Sequence, residues 1–218
     1  MSKASNKPKV SVRALNRRRE PAQKRGHEKV ARIKSVASKL LSGDSIERFT
    51  TNRIAASAGI NVATLYQYFP NKEAIVYALY QDWLADVVAA YDRVEEQSLG
   101  ILGWRKFFTE LRRARESVPL AKKTQLNLDR MMESDPALAA LEEAHAVTIA
   151  KRVAHYLRAY GTTWSDARLV NLTMLIYEMG WAGIYREAHQ SGVRARETRE
   201  WSLRAYLALI EACLEEER

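Results

Sequence analysis

The sequence has one cysteine, Cys213, and few of the residues that build turns: nine glycines and five prolines in 218 residues. One cysteine excludes a disulfide within the chain and a zinc site built from several of its cysteines. Scarce glycine and proline favour helices, because sheets need many tight turns. No apolar run reaches the roughly 18 residues of a membrane-spanning helix, and the N-terminus lacks the apolar segment of a secretory signal. We therefore expect a helical protein of the cytoplasm.

Acidic residues are scarce in the first 34 residues, which contain twelve lysines and arginines but only Glu20 and Glu28. The net charge of +9 therefore comes from this end of the chain, and the rest is close to neutral. A basic end predicts a polyanionic partner, either nucleic acid or an acidic membrane surface. The alternative is a solvated tail that only aids solubility.

The sequence shows none of the residue patterns that catalytic or metal sites require. None of the four histidines lies in a metal-binding motif such as H-E-x-x-H. Glu142, Glu143 and His145 are close in sequence, but they do not form the duplicated E-x-x-H pair of a di-iron bundle. A phosphate-binding glycine loop and a G-x-S-x-G motif are also absent. We therefore expect no catalytic residue, no metal and no cofactor.

Hydrophobic periodicity predicts an all-α chain of about nine helices. Residues 1–22 are polar, basic and interrupted by two prolines, which predicts a flexible arm. Short helices fill residues 23–72 and longer ones fill residues 73–218, including one that Pro119 opens and that ends near Glu133. The predicted helix starts are marked by capping side chains or by proline after a cap, at Thr50 or Thr51, Asn61, Asn71, Asp135 with Pro136, and Ser165.

Residues 50–72 have the pattern of two short helices joined by a tight turn, which is the helix-turn-helix pattern. Gly59 suits the positive φ of the turn. The positions expected to be buried are Ile54, Ala55, Ala58, Ile60, Leu65 and Phe69.

With those positions buried, we expect four side chains of the second helix to face outward: Ala63, Thr64, Gln67 and Tyr68. This face has no charged residue, whereas a solvated surface helix usually shows lysine or glutamate. Small, hydroxyl, amide and aromatic groups suit contacts with base edges and phosphates.

The same stretch contains a series of short matches at fixed spacings: Thr50-Thr51, Ile54-Ala55, Ala58-Gly59, Thr64-Leu65-Tyr66, Tyr68-Phe69 and Asn71-Lys72-Glu73. In these residues the chain resembles the DNA-binding domain of TetR-family transcriptional regulators. The resemblance covers about residues 26–80, and its several coincident spacings make it specific. Gln67 departs from the pattern, because many members have histidine or another aromatic residue there.

The resemblance implies a helix-turn-helix DNA-binding domain followed by a helical ligand-binding and dimerisation domain. It implies a transcriptional regulator that binds double-stranded DNA sequence-specifically, with repression as the family default. The operator would be a palindrome, with half-sites about 34–36 Å apart or a multiple of that, so function needs a homodimer. A small hydrophobic or aromatic inducer would release it by favouring a state in which the two recognition helices lose their spacing.

The resemblance also implies which residues contact DNA. Thr50, Thr51 and Asn52 would touch the phosphate backbone at the start of the first motif helix. Within the recognition helix, Ala63 could meet a thymine methyl and Gln67 could pair with adenine through its amide. The other implied contacts are Thr64 to a phosphate or base edge, Tyr66 and Lys72 to phosphates, and Tyr68 to the backbone or a base methyl. The basic arm could add further phosphate contacts.

Simpler roles remain open for several of these residues. Thr50 and Thr51 could be only helix caps, and Tyr66 could be a half-buried prop for the helix. A lysine such as Lys72 is often merely exposed.

The last two predicted helices are the expected dimer interface, as in the family. The helix after Ser165 is apolar on more than one side, which indicates burial against both its own core and a partner. Ala182 and Gly183 would permit a close approach. The alternative is a monomeric helical core.

An inducer pocket between the middle helices is implied by the resemblance, and an apolar aromatic lining would suit it. His145 could orient a ligand there. The alternative is that these side chains are simply core. The candidate lining residues are Trp104, Phe107, Phe108, Leu111, Met131, Met132, His145, Ile149, Met174, Tyr177 and Trp181.

A different class of function is an all-helical protein that binds RNA or a membrane surface through its basic arm. That hypothesis leaves the uncharged recognition face unexplained. The expected partners are therefore a palindromic DNA operator, a second copy of the chain and a small molecule, and not a membrane. The expected location is the nucleoid.

Overall fold

The structure is a computed structural model that describes residues 24–43, 46–119, 124, 127, 128, 130, 131 and 135–215. The predicted arm at residues 1–22 and the candidate ligand residue Met132 lie outside these ranges. Most of the helix predicted between Pro119 and Glu133 also lies outside them. No helix among the described residues is long and apolar enough to cross a membrane.

The described residues form eight α-helices and one 3-10 turn, without a strand, which confirms the all-α prediction. The ninth helix of the prediction is the one that falls largely outside the described ranges. The helices are α1 (Lys24–Gly43), α2 (Thr51–Ser57), α3 (Val62–Tyr68), α4 (Lys72–Ser98), α5 (Trp104–Ser117), α6 (Pro136–Ala159), α7 (Asp166–Ala188) and α8 (Gly192–Glu215), and the 3-10 turn is Ile46–Arg48.

The capping side chains predicted from the sequence begin the helices. Asn71 accepts a hydrogen bond from the amide of Ala74 at 2.8 Å, at the start of α4. Asp135 accepts from the amide of Ala137 at 2.9 Å, with Pro136 as the first helical residue of α6. Proline costs nothing there, because that amide has no partner within the helix.

The chain divides into two compact units. The first extends to Trp83 and includes the described residues between 120 and 141. The second consists of residues 84–119 and the chain from Glu142 onward. The first unit therefore contains α1, α2, α3 and the start of α4, while the second contains α5, α7, α8 and most of α6.

The core of the first unit is formed by the face of α1 that the periodicity predicted. Val30, Ile33, Ala37 and Leu41 are all buried. Their spacing of three and four residues places them on one side of the helix. Asn127 is also buried, and its amide donates to the carbonyl of Leu41 at 2.8 Å. This bond satisfies a carbonyl in the last turn of α1, which has no partner within the helix.

The second unit is held partly by a polar cluster around Arg152 of α6. The Arg152 guanidinium donates to Glu95 Oε2 and to Asp92 Oδ1, both at 2.5 Å. The Tyr156 hydroxyl donates to the same Glu95 oxygen at 2.7 Å. Charge-assisted hydrogen bonds of this kind join α6 firmly to the second half of α4.

Replacing Glu95 by glutamine should lower the free energy of unfolding at neutral pH by about 1–2 kcal/mol, since the site is partly exposed. The hydrogen bonds from Tyr156 and Arg152 lower the pKa of Glu95. A carboxyl with a lowered folded pKa stabilises the protein above its ordinary pKa, and this stabilisation is lost as the pH falls through the lowered value. Urea unfolding in neutral and acid buffers should therefore show a weaker pH dependence in the variant. Glu96→Gln, at the exposed neighbour, is the control, and an equal effect there would contradict the prediction.

Candidate nucleic-acid interface

Helix α2 begins at a threonine cap, as the sequence predicted. Thr50 has extended backbone angles, and its hydroxyl accepts a hydrogen bond from the amide of Arg53 at 3.3 Å. Thr50 and Asn52 are exposed, and Thr51 is half-buried. Ile54 and Ala55 are buried and hold α2 against its neighbours. The cap therefore accounts for the side chain of Thr50, while Asn52 lies at the surface beside the half-buried Thr51.

The turn between α2 and α3 depends on Gly59, whose φ is +61°. The amide of Gly59 donates to the carbonyl of Ala56 at 3.1 Å, and the amide of Ile60 donates to that of Ala55 at 3.0 Å. This pair of bonds is a Schellman motif, which ends a helix and redirects the chain. A Cβ atom at Gly59 would also lie 3.0 Å from the guanidinium of Arg32. The predicted positive φ is confirmed, and this backbone conformation is the reason for glycine here, since the flexible end of Arg32 could move away from a Cβ atom.

Helix α3 buries one face in the core of the first unit and exposes the opposite face. Asn61 caps it by accepting from the amide of Ala63 at 2.8 Å. Leu65 and Phe69 are fully buried, which confirms their predicted place in the core. Ala63 and Gln67 are exposed. Two successive turns of α3 thus present small and amide side chains to the surface.

Thr64 is half-buried beside these two exposed residues. No residue of Val62–Tyr68 carries a charge. The outer face of α3 is therefore neutral, as the sequence indicated.

The prediction that Tyr68 faces outward is wrong, because its side chain is only 9% exposed. Tyr68 lies three residues after Leu65 and beside Phe69, so it falls on the same inner side of the helix. The prediction had grouped it with Thr64, four residues earlier, which is an equally good helical spacing. Burial of Tyr68 narrows the outer face of α3 to Ala63, Thr64 and Gln67, with Tyr66 at its side.

Tyr66 connects the two helices of the motif. Its side chain is 39% exposed, and its hydroxyl lies 3.0 Å from the hydroxyl of Thr51 in a hydrogen bond. The tyrosine therefore reaches from α3 to the first residue of α2. The resemblance assigned Thr51 and Tyr66 separate contacts with DNA, but the structure shows that their hydroxyls are hydrogen-bonded to each other. Tyr66 therefore supports the packing of the two helices and also keeps its hydroxyl at the surface.

Lys72 is the first residue of α4 and is half-buried. Further along α4, Asp82 forms an ion pair with Lys34 of α1, and both residues belong to the first unit.

The second unit contains a cavity of about 110 Å³. Two of the predicted ligand residues, Ile149 and Tyr177, line it. Sequence reasoning missed Arg112, Arg115 and Tyr206 in its wall, because it selected candidates by apolar character. The sequence feature that could have indicated this wall is the pair Arg112 and Arg115, three residues apart on an amphipathic helix.

The other ligand candidates lie elsewhere. Phe107, Phe108 and Leu111 are fully buried, and the rings of Phe107 and Tyr156 pack edge to face at 5.1 Å. His145 is buried 6.2 Å from the ring of Tyr177. Burial and the charge of Arg115 lower the pKa of His145 to about 4. Of the remaining candidates, Met131 is buried in the first unit, and Trp104, Met174 and Trp181 are half-buried in the second.

Helices α7 and α8 expose large apolar side chains. Leu175 and Met179 are 47% and 37% exposed, and Leu172 and Ala182 continue their stripe at spacings of three. Trp201 of α8 is 61% exposed. Exposed apolar side chains on successive turns of one helix, as on α7, are consistent with a protein contact.

Gly183, expected to permit the approach of a partner, is already used within the chain. A Cβ atom there would lie 2.6 Å from the hydroxyl of Ser202 on α8. It therefore permits the close packing of α7 on α8.

The caps, the glycine turn and the neutral exposed helix form a helix-turn-helix motif, whose second helix can enter the major groove of DNA. Residues 33–79 match the family model described as bacterial regulatory proteins, tetR family. In this stretch the chain is similar to the DNA-binding domain of the TetR family.

Curated relatives are similar to part of this chain in sequence, and solved structures are similar to it in fold. HTH-type transcriptional regulators of Staphylococcus aureus are 30% identical over 74 residues, or 34% of this chain, and the match spans 40% of their length. A TetR-family regulator from Pectobacterium atrosepticum has a TM-score of 0.65 and 17% identity, covering 91% of this chain and 100% of that one. A TetR-like regulator from a Rhodococcus species has a TM-score of 0.55 and 16% identity, covering 90% and 96%. The helices beyond the matched domain thus share the fold of these structures.

Proposed function

We propose that this chain is a sequence-specific, double-stranded DNA-binding repressor that acts as a homodimer on a palindromic operator. The observation that carries the proposal is the outer face of α3. Ala63, Thr64 and Gln67 are presented there by the burial of Leu65 and Phe69. An α-helix fits the major groove, where each base pair shows a distinct pattern of donors and acceptors.

The residues around α3 suit contacts with the DNA backbone. The linked hydroxyls of Thr51 and Tyr66 would bind one phosphate, with Asn52 at the exposed start of α2. Lys72 would bind a second phosphate at the start of α4. Such contacts fix the register of the recognition helix without reading sequence. Gln67 would then read a base, since its amide can pair with adenine through two hydrogen bonds.

Dimerisation would occur through α7 and α8. The exposed stripe that contains Leu175 and Met179 supports this, together with Trp201 on α8. Two copies related by a two-fold axis would present two α3 helices to successive half-sites. The contacts at both half-sites would then contribute to the affinity of one dimer for the operator.

A small molecule in the cavity of the second unit would release the operator. A ligand shifts a conformational equilibrium only by its difference in affinity for the two states. The cavity supports this part of the proposal, because it is lined by residues of the second unit that the DNA contacts do not use.

Selection of bound duplexes from a random pool tests the proposed function directly. We expect a palindrome with a fixed half-site spacing. A pool without sequence enrichment, or preferential binding of RNA or acidic liposomes over duplex DNA, would contradict the proposal.

Replacing Gln67 by alanine should reduce discrimination at one base pair of each half-site. A good bidentate contact accounts for about 1–3 kcal/mol of discrimination, which is roughly 5- to 150-fold in relative affinity. Competition binding between the selected duplex and its single-base variants measures this. Gln81→Ala, at an exposed glutamine of α4 in the same unit, is the matched control and should change nothing. An equal loss of affinity for every duplex would remove Gln67 from base readout.

A further inference from the structure

The N-terminal half of α1 carries a row of basic side chains. Arg25, Lys29 and Arg32 follow one another at spacings of four and three residues, which places them on one face of the helix. All three are exposed, and none of them forms an ion pair within the part of the chain that the structure describes. Glu28, the one acidic residue of α1, is also exposed at the edge of this face. We call the three basic residues the basic stripe, and it keeps an excess of positive charge.

The middle and the end of α1 make polar contacts within the protein. Lys34 forms an ion pair with Asp82 of α4. The carbonyl of Leu41, near the end of the helix, accepts a hydrogen bond from the amide of Asn127 at 2.8 Å. All four residues belong to the first unit. The charges of the basic stripe, in contrast, face solvent and are available to a partner.

Arg32 places one end of the basic stripe beside the helix-turn-helix motif. A Cβ atom on Gly59 would lie 3.0 Å from Nη2 of Arg32 and 3.7 Å from its Cζ, so the guanidinium lies next to this glycine. Gly59 comes two residues before Asn61, which caps α3. The recognition helix of such a motif contacts base edges with its N-terminal residues. Arg32 is therefore next to the end of α3 that would enter the groove.

A purely structural role would explain only one member of the basic stripe. The C-terminus of α2 carries partial negative charge, which a guanidinium beside Gly59 would stabilise. Lys29 and Arg25 lie about one and two turns before Arg32 on the same face, so this role does not account for them. The stripe spans about 10 Å, since an α-helix rises by about 1.5 Å per residue. A DNA strand presents one phosphate per about 3.4 Å of helix axis, so a row of this length can follow several phosphates.

We propose that the basic stripe of α1 binds phosphates of the DNA strand at the edge of the groove that α3 enters. This inference rests on the DNA-binding function proposed above, and it adds positioning residues from a helix outside the helix-turn-helix motif. Each cation that neutralises a phosphate releases counterions, so these contacts strengthen binding to every sequence alike. Phosphate contacts of this kind fix the orientation of the recognition helix but do not read bases.

Single glutamine substitutions at Arg25, Lys29 and Arg32 test the proposal in the purified full chain. The probes are a duplex from the selected pool and a scrambled duplex of the same length, titrated by fluorescence anisotropy at several salt concentrations. Each substitution should make the slope of log affinity against log salt shallower by about 0.9. The affinity ratio of the unmodified chain to the variant should therefore fall by about three- to fourfold between about 50 and 200 mM salt, for both duplexes alike.

Two further variants separate phosphate binding from a structural role. Arg32→Lys keeps the charge and should keep the salt slope. If Arg32 only stabilised the turn, Arg32→Gln would lower the free energy of unfolding in urea and leave the salt slope unchanged. Lys151→Gln is the matched control, because Lys151 is an exposed lysine of α6 in the second unit, and it should change neither quantity.

An unchanged salt slope in Arg32→Gln, or in both of the other glutamine variants, would overturn the proposal. A loss of affinity confined to the selected duplex would also overturn it, because phosphates are common to both probes. So would a loss of binding to acidic liposomes without any change in the duplex slopes, which would assign the basic stripe to a membrane surface. These outcomes leave the selection of a palindrome intact. Failure of the unmodified chain to bind any duplex would instead contradict the DNA-binding function, and this proposal with it.

Discussion

Replacing Leu175 by aspartate should convert the proposed dimer into monomers and weaken binding to the proposed palindromic operator by about 10²–10⁴-fold. Leu175 is 47% exposed in the middle of the apolar stripe of α7. A charge there would have to be buried without a partner when two copies associate. In a dimer, binding of one subunit to its half-site holds the second subunit near the other half-site at a high effective concentration. Monomers lose this advantage. Sedimentation measures the mass, and mobility shift measures the affinity.

The matched control is Ile101→Asp, which places the same charge at an exposed isoleucine in the turn between α4 and α5. Ile101 is 75% exposed and lies outside α7 and α8. This variant should remain dimeric with unchanged affinity. If Leu175→Asp also stayed a dimer with full affinity, the interface would have to lie elsewhere.

Replacing Leu65 by alanine should lower the free energy of unfolding of the first unit by about 2–5 kcal/mol. The Leu65 side chain is fully buried at the centre of α3. Its truncation loses the transfer free energy of the removed atoms and leaves a cavity that the neighbours fill only partly. Since a domain is stable by about 5–15 kcal/mol, operator binding should fall to the extent that the remaining stability approaches zero. Hydrogen exchange of the amides of α2 and α3 measures the change within this unit.

Gln67→Ala on the same helix separates stability from recognition. Gln67 is exposed, so its truncation should change the free energy of unfolding by no more than about 0.5 kcal/mol. Leu65→Ala should therefore affect stability, whereas Gln67→Ala should affect discrimination between duplexes. If Leu65→Ala left the exchange rates of α2 and α3 unchanged, the inner face of the motif would be wrongly assigned.

The inner face and the turn of the motif could be predicted from sequence because their determinants are local. Leu65 and Phe69 are four residues apart on a helix bounded by Asn61 and Pro70, so their side chains share one face. Gly59 follows a short helix directly, at the position where a left-handed residue commonly ends one. These residues need no distant contact to specify their conformations.

Tyr68 shows where local reasoning stops. Spacings of three and four residues link it equally well to Leu65 on the inner face and to Thr64 on the outer one. An aromatic residue with a hydroxyl is acceptable in either place. Packing within the first unit decides between them, and it buries Tyr68.

The cavity was beyond sequence reasoning for a related reason. The sequence pattern of α5 places Arg112 and Arg115 on the solvated side of an amphipathic helix. Tyr91 and Tyr206 are distant from both arginines in the sequence. Only the packing of α4, α5, α7 and α8 brings them to one wall. The apolar candidates Phe107, Phe108 and Leu111 were correctly predicted to be inside, but the interior they fill is core.

The sequence alone determined the helical class, the helix starts, the glycine turn and the family of the N-terminal domain. These depend on short-range chemistry: capping, φ preference and the 3.6-residue period. The tertiary structure decided which of two possible faces Tyr68 joins, that Gly183 serves the contact with Ser202, and that arginines line the cavity. Those outcomes depend on which distant segments pack together, and a helical period is compatible with several such arrangements.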